Sequence, residues 1–214
     1  MNHRSRGPGP RRVSQFTRLL LILAVWIACI LRPGVAAAAD PRIELDVKAA
    51  YLLNFARYVY WPRSSGPDGS SPLVIGVVGR DAIVQVLERT VSGRTVSGRP
   101  IRVVQFAADR IERCDILYLP RSEARRFRTL LSEVLGKPVL TVSDKENFAN
   151  EGGMIEFLLM DDSVRFAINN DAAGQCGLKL SSELLRVAYS VTGGGKRESP
   201  RCALWWGTGR SAAS

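Results

Sequence analysis

Residues 73–106 read LVIGVVGRDAIVQVLERTVSGRTVSGRPIRVVQF, and the alternation inside this stretch decides the fold class. Leu73–Val78 is an unbroken apolar run, the pattern of a strand covered on both faces. Asp81 follows as a cap for a helix that runs through about Thr90. A loop of Gly, Ser and Arg over 92–99 then leads into a second strand, Ile101–Phe106. Strand, helix, strand is the repeating unit of a parallel sheet with helices on its faces.

The same alternation continues in both directions. Asp115–Leu119 reads as a third strand. In the helix after it, Ala124, Phe127, Leu130, Leu131, Val134 and Leu135 fall at three-and-four spacing, and Gly136 ends it. Arg121, Arg125 and Arg128 line its other side and read as a solvated face. Pro138–Val142 is a fourth strand. Gly152 and Gly153 turn the chain into Met154–Met160, and Asp161–Asp162 reads as a tight turn into Val164–Ile168, which makes a hairpin. Ser181 caps a last helix, Ser182–Tyr189. Upstream, Asp40 and Pro41 read as an N-cap and a first helical proline. The helix they open, over about 43–60, is apolar almost all round, so it is buried on two sides or docked on another chain, and Pro62 stops it. A polar loop, Ser64–Ser71, separates it from the first strand. The prediction is a single α/β domain: a three-layer sandwich with a mostly parallel sheet and an antiparallel edge hairpin.

The chain has 214 residues, with 30 Lys and Arg against 20 Asp and Glu, a formal charge of +10. Six of the cations, Arg4, Arg6, Arg11, Arg12, Arg18 and Arg32, lie in the acid-free stretch 1–39. There Leu19–Leu31 is a run of thirteen uncharged residues, and Val35–Ala39 supplies a small-residue site. A positive start, a short apolar run and an Ala-x-Ala site predict a Sec signal peptide over 1–39, cut near Ala39. Thirteen residues are too few to cross a bilayer comfortably. From Gly193 to Ser214 there is no periodicity, and Lys196, Arg197, Arg201 and Arg210 face only Glu198, so a disordered tail is expected over 193–214. Between these ends, 40–192 carries a net charge of only +1. A nucleic-acid partner is therefore not expected, since phosphate neutralisation needs cations clustered on the folded surface.

His3 is the only histidine and belongs to the predicted leader, so the exported chain has no imidazole for a catalytic triad or an ordinary zinc site. Cys114, Cys176 and Cys202 are widely spaced and form no CxxC pair. In an oxidising compartment they permit one disulfide with one thiol over, and the spacing does not choose among the three pairings. Gly76-x-x-Gly79 is half of a dinucleotide fingerprint with no Walker A lysine, and a tight strand-to-helix turn explains it better. Asp161 and Asp162 lack a third ligand at a suggestive spacing. Ser181 and Ser182 near Lys179 invite a Ser/Lys reading, yet a helix cap accounts for them. Asn169–Asn170 reads as a turn. The expectation is a protein that is not an enzyme and holds no metal or cofactor.

Five segments carry a resemblance: KAAYLLNFARYVYWP at 48–62, CDILYLP at 114–120, PVLTVSD at 138–144, GGMIEFLLMDDSVRFAIN at 152–169 and GLKLSSELLRVA at 177–188. Together, in this order and over roughly 46–190, they resemble the YfiR family of bacterial periplasmic regulators. The resemblance implies an α/β fold, a tendency to form homodimers, and inhibition of an inner-membrane diguanylate cyclase by binding its periplasmic part. It also implies an outer-membrane lipoprotein that sequesters the regulator, which raises cyclic-di-GMP and favours biofilm. The helix 43–60 and the turn 152–154 are the expected docking surfaces, with Tyr51, Arg57, Met154 and Lys179 as partner-binding candidates. Well-known members carry two disulfides, and this sequence departs from that pattern. Cys114 stands at one expected position while its partner in Leu73–Val78 is absent, and Phe148 and Ile155 occupy the places of the other pair. The alternative function is a periplasmic small-ligand sensing module, because open parallel sheets offer crevices at their strand C-termini.

Overall fold

A computed structural model describes residues 41–62, 71–107 and 110–193 of the chain. The predicted leader over 1–39, the Asp40 cap, all but the last residue of the Ser64–Ser71 loop and the tail beyond Gly193 lie outside the described residues. The first helix, α1, spans Pro41–Tyr58, starting at the proline, and runs straight into a two-residue strand β1, Val59–Tyr60. Strand β2 covers Leu73–Val78, as its apolar run predicts. Helix α2, Ile83–Val91, follows, with Asp81 Oδ1 accepting the Ile83 N–H at 2.8 Å. The expected loop over 92–99 contains a short strand β3, Thr95–Val96, which turns back onto β4, Arg99–Phe106.

Strand β5, Ile116–Leu119, leads into a 3-10 segment, Arg121–Arg126, and only then into helix α3, Phe127–Val134. Strand β6 is Leu140–Ser143, and the hairpin is β7, Ile155–Met160, with β8, Ser163–Asn169. Both residues of its turn, Asp161 and Asp162, have positive φ (46° and 58°), the twist that a two-residue hairpin loop requires. Beyond β8 come helix α4, Asn170–Gln175, strand β9, Lys179–Leu180, helix α5, Ser182–Val187, and strand β10, Ser190–Thr192.

The main sheet has eight strands in the order β10-β8-β7-β6-β5-β2-β4-β3, and β1 pairs with β9 in a separate small ladder. From β7 to β4 all neighbours are parallel; β7 with β8 and β4 with β3 are antiparallel. Strand β10 adds to β8 in parallel, so the hairpin lies one strand in from the edge. The pleat divides the core in two. Ile75, Val77, Ile116, Tyr118, Leu140 and Val142 face Leu52 and Phe55 of α1 and Ile83 and Leu87 of α2. Val78, Leu117 and Leu119 face the other way, onto Phe127, Leu130 and Val134 of α3 and onto Phe148. This is the predicted three-layer α/β sandwich.

Two local readings change. Asn169 does more than stabilise a turn: its Oδ1 accepts the Ala172 N–H at 3.0 Å and caps α4, while its Nδ2 donates to the Ala149 carbonyl at 2.8 Å. The last helix stops at Val187 rather than Tyr189, because the Tyr189 N–H donates to the Phe166 carbonyl at 2.9 Å and pulls the chain onto the sheet as β10. Gly153 marks the tightest point of the second core. A Cβ there would overlap the fully buried ring of Phe148. Gly153→Ala is expected to cost about 1–3 kcal/mol by overpacking, read as a shift in the urea midpoint at constant slope. A midpoint equal to wild type would mean that the ring moves aside freely.

Candidate interaction surface

Helix α1 buries Ala49, Leu52, Leu53, Phe55 and Ala56 and keeps Asn54, Arg57 and Tyr58 exposed on its outer side. Its C-terminal end is fixed by the small ladder, in which Val59 pairs with Leu180 and Tyr60 with Lys179. The Ser181 N–H donates to the Tyr58 carbonyl at 2.9 Å, and the Ser181 hydroxyl accepts the Leu184 N–H at 3.2 Å to cap α5. That hydroxyl is buried and serves as a cap, as the sequence predicts.

These pairings gather the ends of α1, β1, β9 and α5. Arg57, in the last turn of α1, and Lys179 are both exposed, and Tyr58 and Tyr60 leave 41 % and 61 % of their surface open. Val187 and Tyr189, at the far end of α5, are as open as Tyr60. A shallow cleft of about 130 Å³ runs between α1, β8 and α5, lined by Tyr51, Tyr58, Phe166 and Val187 among others. Exposed aromatic and aliphatic side chains lie here beside Arg57 and Lys179, which makes this the candidate interaction surface.

Three of the four partner-binding candidates lie on or beside this patch. Arg57 and Lys179 stand at its charged end. Tyr51 is half-buried, with its ring 5.2 Å from Phe166 and 6.0 Å from Phe55 and Phe157, so it supports the cleft from below. Met154 does not belong to it. Only 4 % of Met154 is exposed, and its backbone is tied at both ends, N–H to Thr141 Oγ1 at 3.1 Å and carbonyl to the Asn169 N–H at 2.8 Å. The turn at 152–154 presents Glu151 and Gly152 to solvent instead, because Met154 already points into the α1-side core.

The cysteines are also separated by the sheet. Cys114 belongs to the α3-side core and Cys176 to the α1-side core, so the two do not pair with each other, and Cys202 lies outside the described residues. Burial, aided by the neighbouring Asp115 carboxylate, pushes the Cys114 thiol up to about 12, which keeps it protonated and poorly nucleophilic.

Sequence reasoning missed the buried charged groups Lys48, Asp115 and Glu156. Lys48 appears there only as an interruption of an apolar helix. In the structure its ammonium is 2.6 Å from Glu44 Oε1, one turn back, and 2.6 Å from Asp144 Oδ2 at the end of β6. Asp144 Oδ1 accepts the Arg121 N–H at 2.7 Å, so one carboxylate ties α1 to the segment after β5. At the opposite end of the sheet Asp115 accepts from the Val74 N–H at 2.8 Å and from the Arg99 guanidinium at 3.2 Å. An Asp directly after β6 and another before β5 were the available signals, but nothing local said which cation each would meet. Among the described residues no group of His, Cys, Asp and Glu could hold a metal ion, and no helix is long and apolar enough to cross a membrane.

The family model for YfiR/HmsC-like proteins matches residues 45–189, from the first turns of α1 to the residue before β10. The chain belongs to the YfiR/HmsC-like family. The match covers the body from the second turn of α1 through α5, including both cores and the patch at the end of α1. Strand β10 alone, among the elements described, falls outside it.

Proposed function

We propose that this YfiR/HmsC-like chain is a periplasmic, non-catalytic regulator that holds down an inner-membrane diguanylate cyclase by binding its periplasmic part. Family membership supports a periplasmic regulatory role in cyclic-di-GMP signalling. The observation that carries the binding reading is the patch at the end of α1, where Arg57, Tyr58, Tyr60 and Lys179 are exposed together. Aromatic anchors flanked by cations suit an acidic segment of a partner that is itself rich in apolar side chains. An outer-membrane lipoprotein that competes for the same patch would relieve the inhibition, and homodimers would hide or duplicate it.

The decisive experiment is genetic. Deletion of the gene is expected to raise cellular cyclic-di-GMP, and overexpression to lower it. Unchanged levels in both strains would sink the reading. A second arm locates the surface: the double substitution Arg57→Glu/Lys179→Glu reverses two exposed charges. It is expected to change stability by no more than about 0.5 kcal/mol and to leave cyclic-di-GMP high in the complemented deletion strain. Full complementation by that variant would move the docking surface elsewhere.

A further inference from the structure

The two crossovers of the parallel sheet leave it on opposite faces. Helix α2, between β2 and β4, packs on the α1 side, while α3, between β5 and β6, packs on the other. Strands β2 and β5 are neighbours, so the strand order reverses between them. A crevice opens outside the C-terminal ends of the strands at such a reversal, because the two connections part there.

In this chain the crevice has a volume of about 620 Å³ and is lined by Gly79 and Arg80 after β2, Gln105, Phe106 and Ala107 at the end of β4, and Ser122 and Glu123 after β5. Gly79 has φ +73° and holds the crevice open. A Cβ there would collide with the carboxylate of Glu123, so that carboxylate lies directly against the backbone of the β2 end. The Gly79 N–H is bound to the Phe106 carbonyl at 3.0 Å and its carbonyl to Gln105 Nε2 at 2.7 Å, so the backbone of this wall is rigid and satisfied.

Two charged residues that line the space have no protein partner for their side chains. Among the described residues, neither the half-buried carboxylate of Glu123 nor the exposed guanidinium of Arg80 has a hydrogen-bonding or ion-pair partner. Their signs select the ligand. A simple anion such as phosphate, which a Gly-rich turn before a helix would ordinarily invite, meets Glu123 at the mouth and Asp81 already seated on the first turn of α2. A simple cation meets Arg80. A molecule bearing both charges satisfies both groups.

We propose that this crevice binds a small zwitterion, such as a free amino acid, whose ammonium meets Glu123 and whose carboxylate meets Arg80. The Ser122 hydroxyl supplies a further polar contact, and Ala107 with the rim of Phe106 supplies an apolar wall for the ligand's side chain. The site lies away from the α1 patch and does not depend on which protein that patch meets.

The test uses the protein purified from cells and three sets of probes: the common L-amino acids, their methyl esters, which lack the anion, and their N-acetyl forms, which lack the cation. At least one amino acid is expected to raise the melting temperature by about 5 °C at near a hundred times its Kd, while its ester and N-acetyl form do not. Glu123→Gln, which keeps the shape and removes the charge, and Arg80→Ala are each expected to weaken binding by about tenfold or more in calorimetry. Arg57→Glu/Lys179→Glu is expected to bind normally, which separates this site from the docking surface. No stabilisation by any amino acid, equal binding of the esters or N-acetyl forms, or unchanged affinity in both crevice variants would each overturn the proposal.

Discussion

Phe55→Ala is expected to destabilise the protein by about 3–5 kcal/mol. Phe55 has no exposed surface and stands among three other rings. Its ring centroid lies 6.0 Å from Tyr51, 5.9 Å from Phe157 and 5.2 Å from Phe166, the last in an edge-to-face arrangement. Those partners come from α1, β7 and β8, so the ring closes the seam between the helix and the hairpin. Truncation removes the transfer free energy of a buried aromatic and leaves a cavity that two strands of a sheet cannot collapse to fill. A domain of this size is stable by about 5–15 kcal/mol, so the variant loses about a fifth or more of the total. Thermal unfolding followed by circular dichroism is expected to show a fall of roughly 6–20 °C. A fall of less than about 3 °C would mean that the seam repacks, and that the aromatic cluster is not what holds α1 on the sheet.

Lys48→Met is expected to cost about 3 kcal/mol, although methionine fills nearly the same volume. The Lys48 side chain is 5 % exposed and that of Asp144 14 % exposed, so removing the cation leaves a carboxylate with little water to replace it. The penalty belongs to the abandoned charge rather than to the value of the pair, and a double-mutant cycle separates the two. Lys48→Met combined with Asp144→Asn is expected to recover a large part of the loss, since the more buried carboxylate is no longer charged and Glu44, 24 % exposed, can turn to water. The Asn amide oxygen can still accept the Arg121 N–H that now goes to Asp144 Oδ1. Additive losses in the double variant would show that the two residues act independently and that the anchor lies elsewhere.

Most of the fold is legible in the sequence, and particular residues say why. Leu73–Val78 is buried on both faces, so every position is apolar and the strand is visible without its neighbours. The hairpin is visible because Asp161 and Asp162 tolerate positive φ between two apolar runs. Ser181 caps α5 because its hydroxyl needs to reach only three residues ahead. The elements that sequence reading missed are the short ones. Strands β1, β3, β9 and β10 have two or three residues each, too few to show a period; β1, β9 and β10 exist because a distant strand offers them hydrogen bonds, and β3 because it folds back on β4. The partner-binding candidates divide in the same way. Arg57 and Lys179 are exposed, while Met154, expected in a docking turn after two glycines, is core.

By itself the sequence determined the order of the longer strands and helices, the α/β class and the family, since these depend on patterns that repeat over a few neighbouring residues. Only the tertiary structure decided that Lys48 meets Asp144, 96 positions away, that Met154 is withdrawn from the surface, and that Arg80 and Glu123 face one crevice. Each of these depends on which face of the sheet a crossover takes. That choice is made by packing between segments far apart in the chain, so no local pattern of residues encodes it.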